Sequence, residues 1–218
     1  MPTAKKRTPL TRERILEQAL WIADEHGVEA VTMRKLGQDL GFEAMSLYRH
    51  VANKNDVLAG ILDLVLAETE PPSPDGDWSD AVRRSALSVH EALTRHPWAT
   101  TLLSTAALMR PARLAYMNQL MGRLREAGFS ADTTYVAYHV LDAHVFGFSM
   151  WVISHQLPDA GQSELVARLM REVPFDDLPY LREHRDQHLS EGPHRDVSAF
   201  ELGLDLILDG LKTLQTSA

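Results

Sequence analysis

Residues 41–56 read "GFEAMSLYRHVANKND", and the fold turns on what this stretch forms. Leu47 and Val51 stand four apart, the spacing of one buried face on a short helix. Around them sit Ser46, Tyr48, Arg49 and His50, then Lys54. Polar, aromatic and cationic tips on so short a helix exceed what solubility requires and point to a contact surface. Upstream, Thr11 caps a first helix whose apolar stripe is Ile15, Leu16, Ala19, Leu20, Ile22 and Ala23. Gly27 ends it, with Val28 closing the contact beyond the cap. Thr32 caps a second, short helix on which Leu36 and Leu40 face inward and Gly37 leaves a close-packing surface. Gly41 makes the turn into the third. Asn53 caps a fourth helix, with Asp56 in its first turn complementing the dipole and Val57, Leu58, Ile61, Leu62 and Val65 as core.

Short helices joined by a glycine turn before the third make a helix-turn-helix, whose last helix enters the DNA major groove, where the base edges differ for each pair. Ser46 and Arg49 can reach base edges, and Ala44 and Met45 suit apolar contact with a thymine methyl. Tyr48 and His50 suit phosphates. Thr32 and Lys54 stand at helix N-termini, where backbone N–H groups already favour an anion. Arg34 can reach a phosphate or a base. Spacing alone also fits a surface helix with ordinary polar residues.

Charge supports the division. The chain of 218 residues carries a net −8, which argues against nucleic-acid binding by its whole surface. Residues 1–14 nevertheless hold Lys5, Lys6, Arg7, Arg12 and Arg14 against Glu13 alone. A basic arm on a near-neutral head joined to an acidic body is the resulting pattern. With 44% hydrophobic residues the chain can bury a large core, and without cysteine it has no disulfide, thiolate site or cysteine nucleophile. No signal-peptide run is present. The most bilayer-like stretch, "YVAYHVLDAHVFGFSMWVI", is broken by Asp142 and two histidines, so a soluble cytoplasmic protein without membrane contact is expected.

Apolar spacing near 3.6 runs throughout, so the fold class is all-α. The strong break is "ETEPPSPDGDWSD" at 68–80, where prolines forbid helix continuation. It divides a DNA-binding head, 1–70, from a helical ligand-binding and dimerisation domain, 71–218. Further helices are expected over 79–95, 98–106, 111–127, 131–155, 162–172 and 196–215, with 172–194 mostly loop with a short helix.

"VTMRKLGQDLGFEAMSLYRHVANKNDVLAGILDLVL" (31–66) resembles the DNA-binding head of the tetracycline-repressor (TetR) family of bacterial regulators. The matches are Thr32, Arg34, Leu36, Gly41, Leu47, Tyr48, His50, Val51, Asn53, Lys54 and Leu58. The resemblance implies Thr32, Tyr48, His50 and Lys54 at phosphates, and Arg34, Ala44, Met45, Ser46 and Arg49 at or near bases. "HPWATTLLSTAALMRPARLAYMNQLMGRLREAGFS" resembles the C-terminal domain of the tetracycline-repressor subgroup. That subgroup's magnesium–drug site uses a histidine on the sixth helix and an acidic residue on the long helix. Here Trp98–Thr105 holds no His, Asp or Glu, and Met150 and Trp151 stand near the second position. The drug-and-metal site is therefore not carried over.

Within the body, the helix over 131–155 is apolar on nearly every side, with Ala143 and Gly147 permitting close approach. The last helix has Phe200, Leu204, Ile207, Leu208, Leu211 and Leu214 on one face and Leu202 and Leu206 on another, with Gly203 and Gly210 as small contacts. Two doubly apolar helices fit a four-helix homodimer interface, although one large core would use the same residues. Trp98, Leu102, Met109, Met117, Met121, Tyr135, His139 and Trp151 are the expected walls of a pocket for a small apolar or aromatic inducer. His139, Asn118 or Gln119 would supply polar orientation. His184 and His188 stand i, i+4, a metal spacing, but without the remaining ligands, so no metal or cofactor is expected. No constellation of residues supports catalysis. The expectation is a homodimeric repressor of palindromic operator DNA released by a small molecule. The competing reading is a helical ligand- or metal-binding protein that does not read DNA.

Overall fold

The computed structural model describes residues 9–103, 110–156, 174–189 and 198–216. Among them every regular element is helical: α1 Arg12–His26, α2 Met33–Leu40, α3 Ala44–Leu47, α4 Lys54–Ala67, α5 Trp78–Arg95, α6 Trp98–Leu103, α7 Pro111–Glu126, α8 Ala131–Gln156, α9 Pro179–Leu189 and α10 Ala199–Thr216. Single 3₁₀ turns lie at Val28–Ala30 and Phe175–Asp177.

The local signals at the head are obeyed. Thr11, Thr32 and Asn53 each accept from the backbone N–H three residues on, at Arg14, Lys35 and Asp56. Gly41 is left-handed (φ 74°), with its N–H bonded to Gln38 O and the Phe42 N–H to Gly37 O, the paired bonds of a Schellman end. Gly37 has no room for a side chain. A Cβ there would stand 2.8 Å from Phe42 O and 3.1 Å from Ala44 N, so its smallness sets the α2–α3 approach. The regular part of α3 is shorter than the pattern predicts. After Leu47 the chain tightens, with both His50 and Val51 N–H groups bonding to Leu47 O. The extended Asn53 then starts α4. Leu47 and Val51 are both buried as expected, against a core of Ile15, Ile22, Leu36 and Ile61.

One staple has no sequence signal. Arg12 Nη1 and Nη2 donate to Asp56 Oδ2 (2.9 Å) and Oδ1 (2.7 Å), and the Ala52 N–H donates to Oδ2 at 2.9 Å. It ties the start of α1 to the start of α4 and the turn after α3.

In the body α5, α8 and α10 pack together, and α7 covers α8. Arg83 on α5 pairs with Glu201 (2.5 Å) and Asp205 (2.7 Å) on α10. Trp78 at the head of α5 donates Nε1–H to Gln215 Oε1 (3.1 Å) near the end of α10. Gly203 is small for an internal reason. His144 of α8 lies where its Cβ would be, Cε1 at 2.6 Å, and its Nε2–H donates to Phe200 O at 2.9 Å. It therefore contacts its own chain rather than standing open to a partner, whereas Gly147 and Gly210 have no neighbour within 4 Å. Leu214 leaves the buried face and is exposed with Leu202 and Leu206. α9 is the short helix expected within the otherwise irregular segment 172–194. The expected helix at 162–172 lies outside the described residues.

The two halves meet through α4. The Asp24 carboxylate of α1 holds His96 Nδ1 (2.8 Å) and accepts from Trp98 Nε1 (2.7 Å). The other ring nitrogen of His96 faces Glu68, just past α4, at 3.3 Å, and Glu68 also pairs with Arg95. Arg110 before α7 pairs with Asp63 of α4. Trp98, expected as a pocket wall, is thus a strut between head and body.

Candidate DNA-reading surface and ligand cavity

The cap at Thr32 and the Gly41 turn bring α2 and α3 together so that their outer residues share one face. Arg34, Met45, Tyr48, Arg49 and His50 are exposed there, with Met45 at 76%. Ala44 and Ser46 are half-buried along a groove also lined by Arg34, Gln38, Phe42 and Glu43. The hydroxyl of Thr32 accepts from Lys35 N–H and keeps its own hydrogen for an outside acceptor. Lys54 Nζ stands 3.8 Å from Glu29 Oε2, a loose pair at the surface that a phosphate can replace. Of the nine residues expected at DNA, Arg34, Ala44 and Ser46 are thus brought together in one groove. Gln38 and Glu43 line the same groove and were not expected there, since a polar helix residue carries no signal of its own.

A second concavity lies in the body, about 40 Å³ in volume, between α4, α5, α7 and α8. Leu66 and Thr69 form its wall at the end of α4, and Val82, Ala86 and Val89 its wall on α5. Arg113, Tyr116, Met117 and Leu120 line it from α7, and Leu141, Asp142, Val145 and Phe146 from α8. Of the expected pocket residues, Met117 alone lies in this wall. Met121 sits one turn on, against the core, and Leu102 is half-buried on α6. Tyr135 (66%), Trp151 (48%) and His139 are exposed on the far side of α8, and Asn118 and Gln119 are exposed on α7. Met109 lies outside the described residues. The misplacement has a physical cause: α8 is apolar all round, so its sequence does not say which face turns inward.

Burial shapes the polar end of the cavity. It pushes the Asp142 carboxyl above the usual carboxylate range, against the opposing pull of Arg113 and Tyr138. It also pushes the Tyr138 phenol up to about 12, with the Asp142 charge adding to it. The Arg113 guanidinium lies over the Phe146 ring, 4.8 Å from its centroid, with Nη2 3.8 Å from Asp142 Oδ1. Behind Tyr116, Ser85 of α5 donates to Glu70 O (2.7 Å), so the 3.0 Å contact between Ser85 Oγ and Tyr116 Oη has the phenol as donor. This chain links α7, α5 and the segment after α4. Among the described residues no group of three His, Cys, Asp or Glu side chains is placed to hold a metal. The side chains of His184 and His188 on α9 lie outside that description.

Comparison with known proteins agrees with this architecture. The family model described as "Tetracyclin repressor-like, C-terminal domain" matches residues 70–215. The chain is 30% identical over 221 residues to the HTH-type transcriptional repressor DrrR1 of Streptomyces coeruleorubidus, covering 98% of this chain and 81% of that protein. It is 29% identical over 207 residues to the tetracycline repressor protein class A from transposon 1721 of Escherichia coli, covering 94% and 91%. The Streptomyces coelicolor TetR family protein ActR, in its complex with actinorhodin, superposes with a TM-score of 0.72 at 28% identity, covering 94% of this chain and 96% of that one. A helix-turn-helix head whose fourth helix walls a cavity in an all-α body, matched along nearly its whole length, places this chain in the tetracycline-repressor family of transcriptional regulators.

Proposed function

We propose that the protein is a homodimeric repressor that binds palindromic operator DNA through α2 and α3 of each protomer and is released by a small apolar or aromatic molecule in the body. The head would be residues 1–70, the body residues 71–218, and the working compartment the cytoplasm. The observation that carries the reading is that Leu66 and Thr69, at the end of α4, are themselves part of the cavity wall. A cavity of about 40 Å³ is far below the roughly 300–1,000 Å³ of a drug-sized site. A ligand must therefore push its walls apart, and one of those walls is the helix that carries the reading unit. In a dimer the two reading units must meet major grooves about 34–36 Å apart, so tilting α4 spoils the fit. Repressor relatives and an actinorhodin-bound relative support both halves of this reading.

Dimerisation follows from α8 and α10. Outside α8, Val136, His139, Val140, Ala143, Gly147, Met150 and Trp151 form one exposed stripe at three- and four-residue steps. Leu202, Leu206, Gly210 and Leu214 do the same on α10, which packs beside it. By length and composition Ala131–Ile153 could also cross a membrane. Pairing of both stripes with a second copy covers the same apolar surface in water.

The test is operator binding on DNA flanking the coding region, followed by titration of screened ligands with and without operator, in chelator. Inducer and operator should weaken each other by the same factor, a coupling of about 1–3 kcal/mol, without magnesium. Equal ligand affinities in the two titrations would refute the coupling. An absolute need for magnesium would restore the metal–drug site.

A further inference from the structure

Among the described residues Arg113 and Asp142 are the only charged side chains in the cavity wall, and they form a loose ion pair rather than a hydrogen bond. Their closest approach, 3.8 Å, is beyond hydrogen-bond range. The Arg113 side chain is only 17% exposed, and a guanidinium stays charged whatever surrounds it. Lying over Phe146, it keeps its N–H edges for a planar acceptor. Around it the wall is apolar or aromatic: Tyr116, Met117, Val145 and Phe146.

We propose that the ligand is a planar aromatic acid, its rings between the α5 and α8 walls and its carboxylate gripped by the Arg113 fork. This rests on the reading of the cavity as the inducer site and adds the charge and shape of the inducer. A neutral ligand would seal Arg113 in beside Asp142, 3.8 Å away, without a bidentate acceptor, whereas a carboxylate supplies two acceptors in the fork's own geometry. Asp142 does not compete for the fork. Its distance gives it no hydrogen bond to Arg113, and it accepts instead from the Tyr138 hydroxyl at 3.4 Å. Ring faces meet Phe146 and the Met117 thioether, contacts that reward flat, polarisable groups. Ligand cations are disfavoured by Arg113 itself.

The probes are anthracene-2-carboxylic acid, its methyl ester and 2-(aminomethyl)anthracene, followed by intrinsic fluorescence on the full chain. The acid should bind about ten- to a hundredfold tighter than the ester, the gain expected of hydrogen bonds to a charged group. Arg113→Gln should erase that preference while the ester binds as before, and Arg113→Lys should retain part of it. Ester binding as tight as acid binding, with either one releasing operator, would overturn the charged subsite and leave the cavity as inducer site standing. Tighter binding of the amine would assign the polar end to Asp142 instead and overturn the proposal. Saturable binding of none of the three would overturn it together with the cavity reading. If Arg113→Gln does not fold by circular dichroism, the wild-type comparison of acid, ester and amine still decides.

Discussion

At the scale of single residues, Asp56 joins three segments through one carboxylate. The Arg12 fork and the Ala52 N–H hold its pKa down, from 3.8 to about 2. A carboxylate depressed in the folded state binds fewer protons there than when unfolded. Its stabilisation is therefore present above about pH 4 and fades as the pH falls towards about 2. With Arg12 and Asp56 side chains 37% and 29% exposed, solvent reduces the value of the pair. Asp56→Asn should cost about 1–2 kcal/mol at neutral pH and almost nothing near pH 2, as read by urea denaturation. A cost that did not shrink on acidification would mean that packing, not charge, is what Asp56 contributes. Arg49 and Lys54 are separated by role instead. Arg49→Ala should relax base preference at a cost of about 1–3 kcal/mol. Lys54→Ala should weaken every sequence alike and reduce the salt dependence by about one unit of slope. Unchanged operator binding in both variants would show the docking to be wrong.

At the scale of helices, Gly37 and His96 set how elements approach. Alanine is favoured over glycine within a helix by about 1 kcal/mol, whereas overpacking costs about 1–3 kcal/mol. At Gly37 the overpacking term wins, because the obstructing atoms, Phe42 O and Ala44 N, are backbone and cannot swing aside. Gly37→Ala should therefore lower thermal stability and operator affinity together, and a rise in stability would show that α3 can shift outward. His96 is buried between Asp24 of α1 and Glu68 beyond α4, with Trp98 on the same Asp24 oxygen. This cluster sits where motion of α6 reaches the head. His96→Phe preserves a ring but drops both polar contacts. The expected result is an inducer that still binds while the ratio of operator affinities without and with it shrinks towards one. An unchanged ratio would exclude the junction as the route of coupling.

For the whole molecule, the apolar stripes on α8 and α10 decide assembly. A charge at the centre of either stripe, as in Val140→Asp or Leu206→Asp, must be buried without a partner if the copies pair. Both positions are exposed in the single chain, at 42% and 66%, so the fold of the protomer should survive. Sedimentation should then show monomers with full helicity and greatly weakened operator binding. A variant that stayed dimeric would place the interface elsewhere. Gly210→Arg tests the same surface at the open glycine, whereas a substitution at Gly203 would strike His144 within the protomer and report on folding instead.

Local chemistry in the chain settled the head: Thr11, Thr32 and Asn53 as caps, Gly41 as the left-handed turn, Leu47 and Val51 as the buried pair. Each of these acts within a few residues, so its meaning survives without tertiary context, and the residues expected to face DNA were read from the same stretch. The body was legible only as helices. α8 is apolar on every side, and periodicity cannot choose which of its faces turns inward. Tertiary packing made that choice, turning Tyr135, His139 and Trp151 outward and bringing Leu141, Asp142 and Val145 to the cavity. Arg113 with Asp142, Arg12 with Asp56 and His96 with Asp24 were equally hidden, since such pairs join residues 29 to 72 positions apart. Only the packed chain brings them within contact distance.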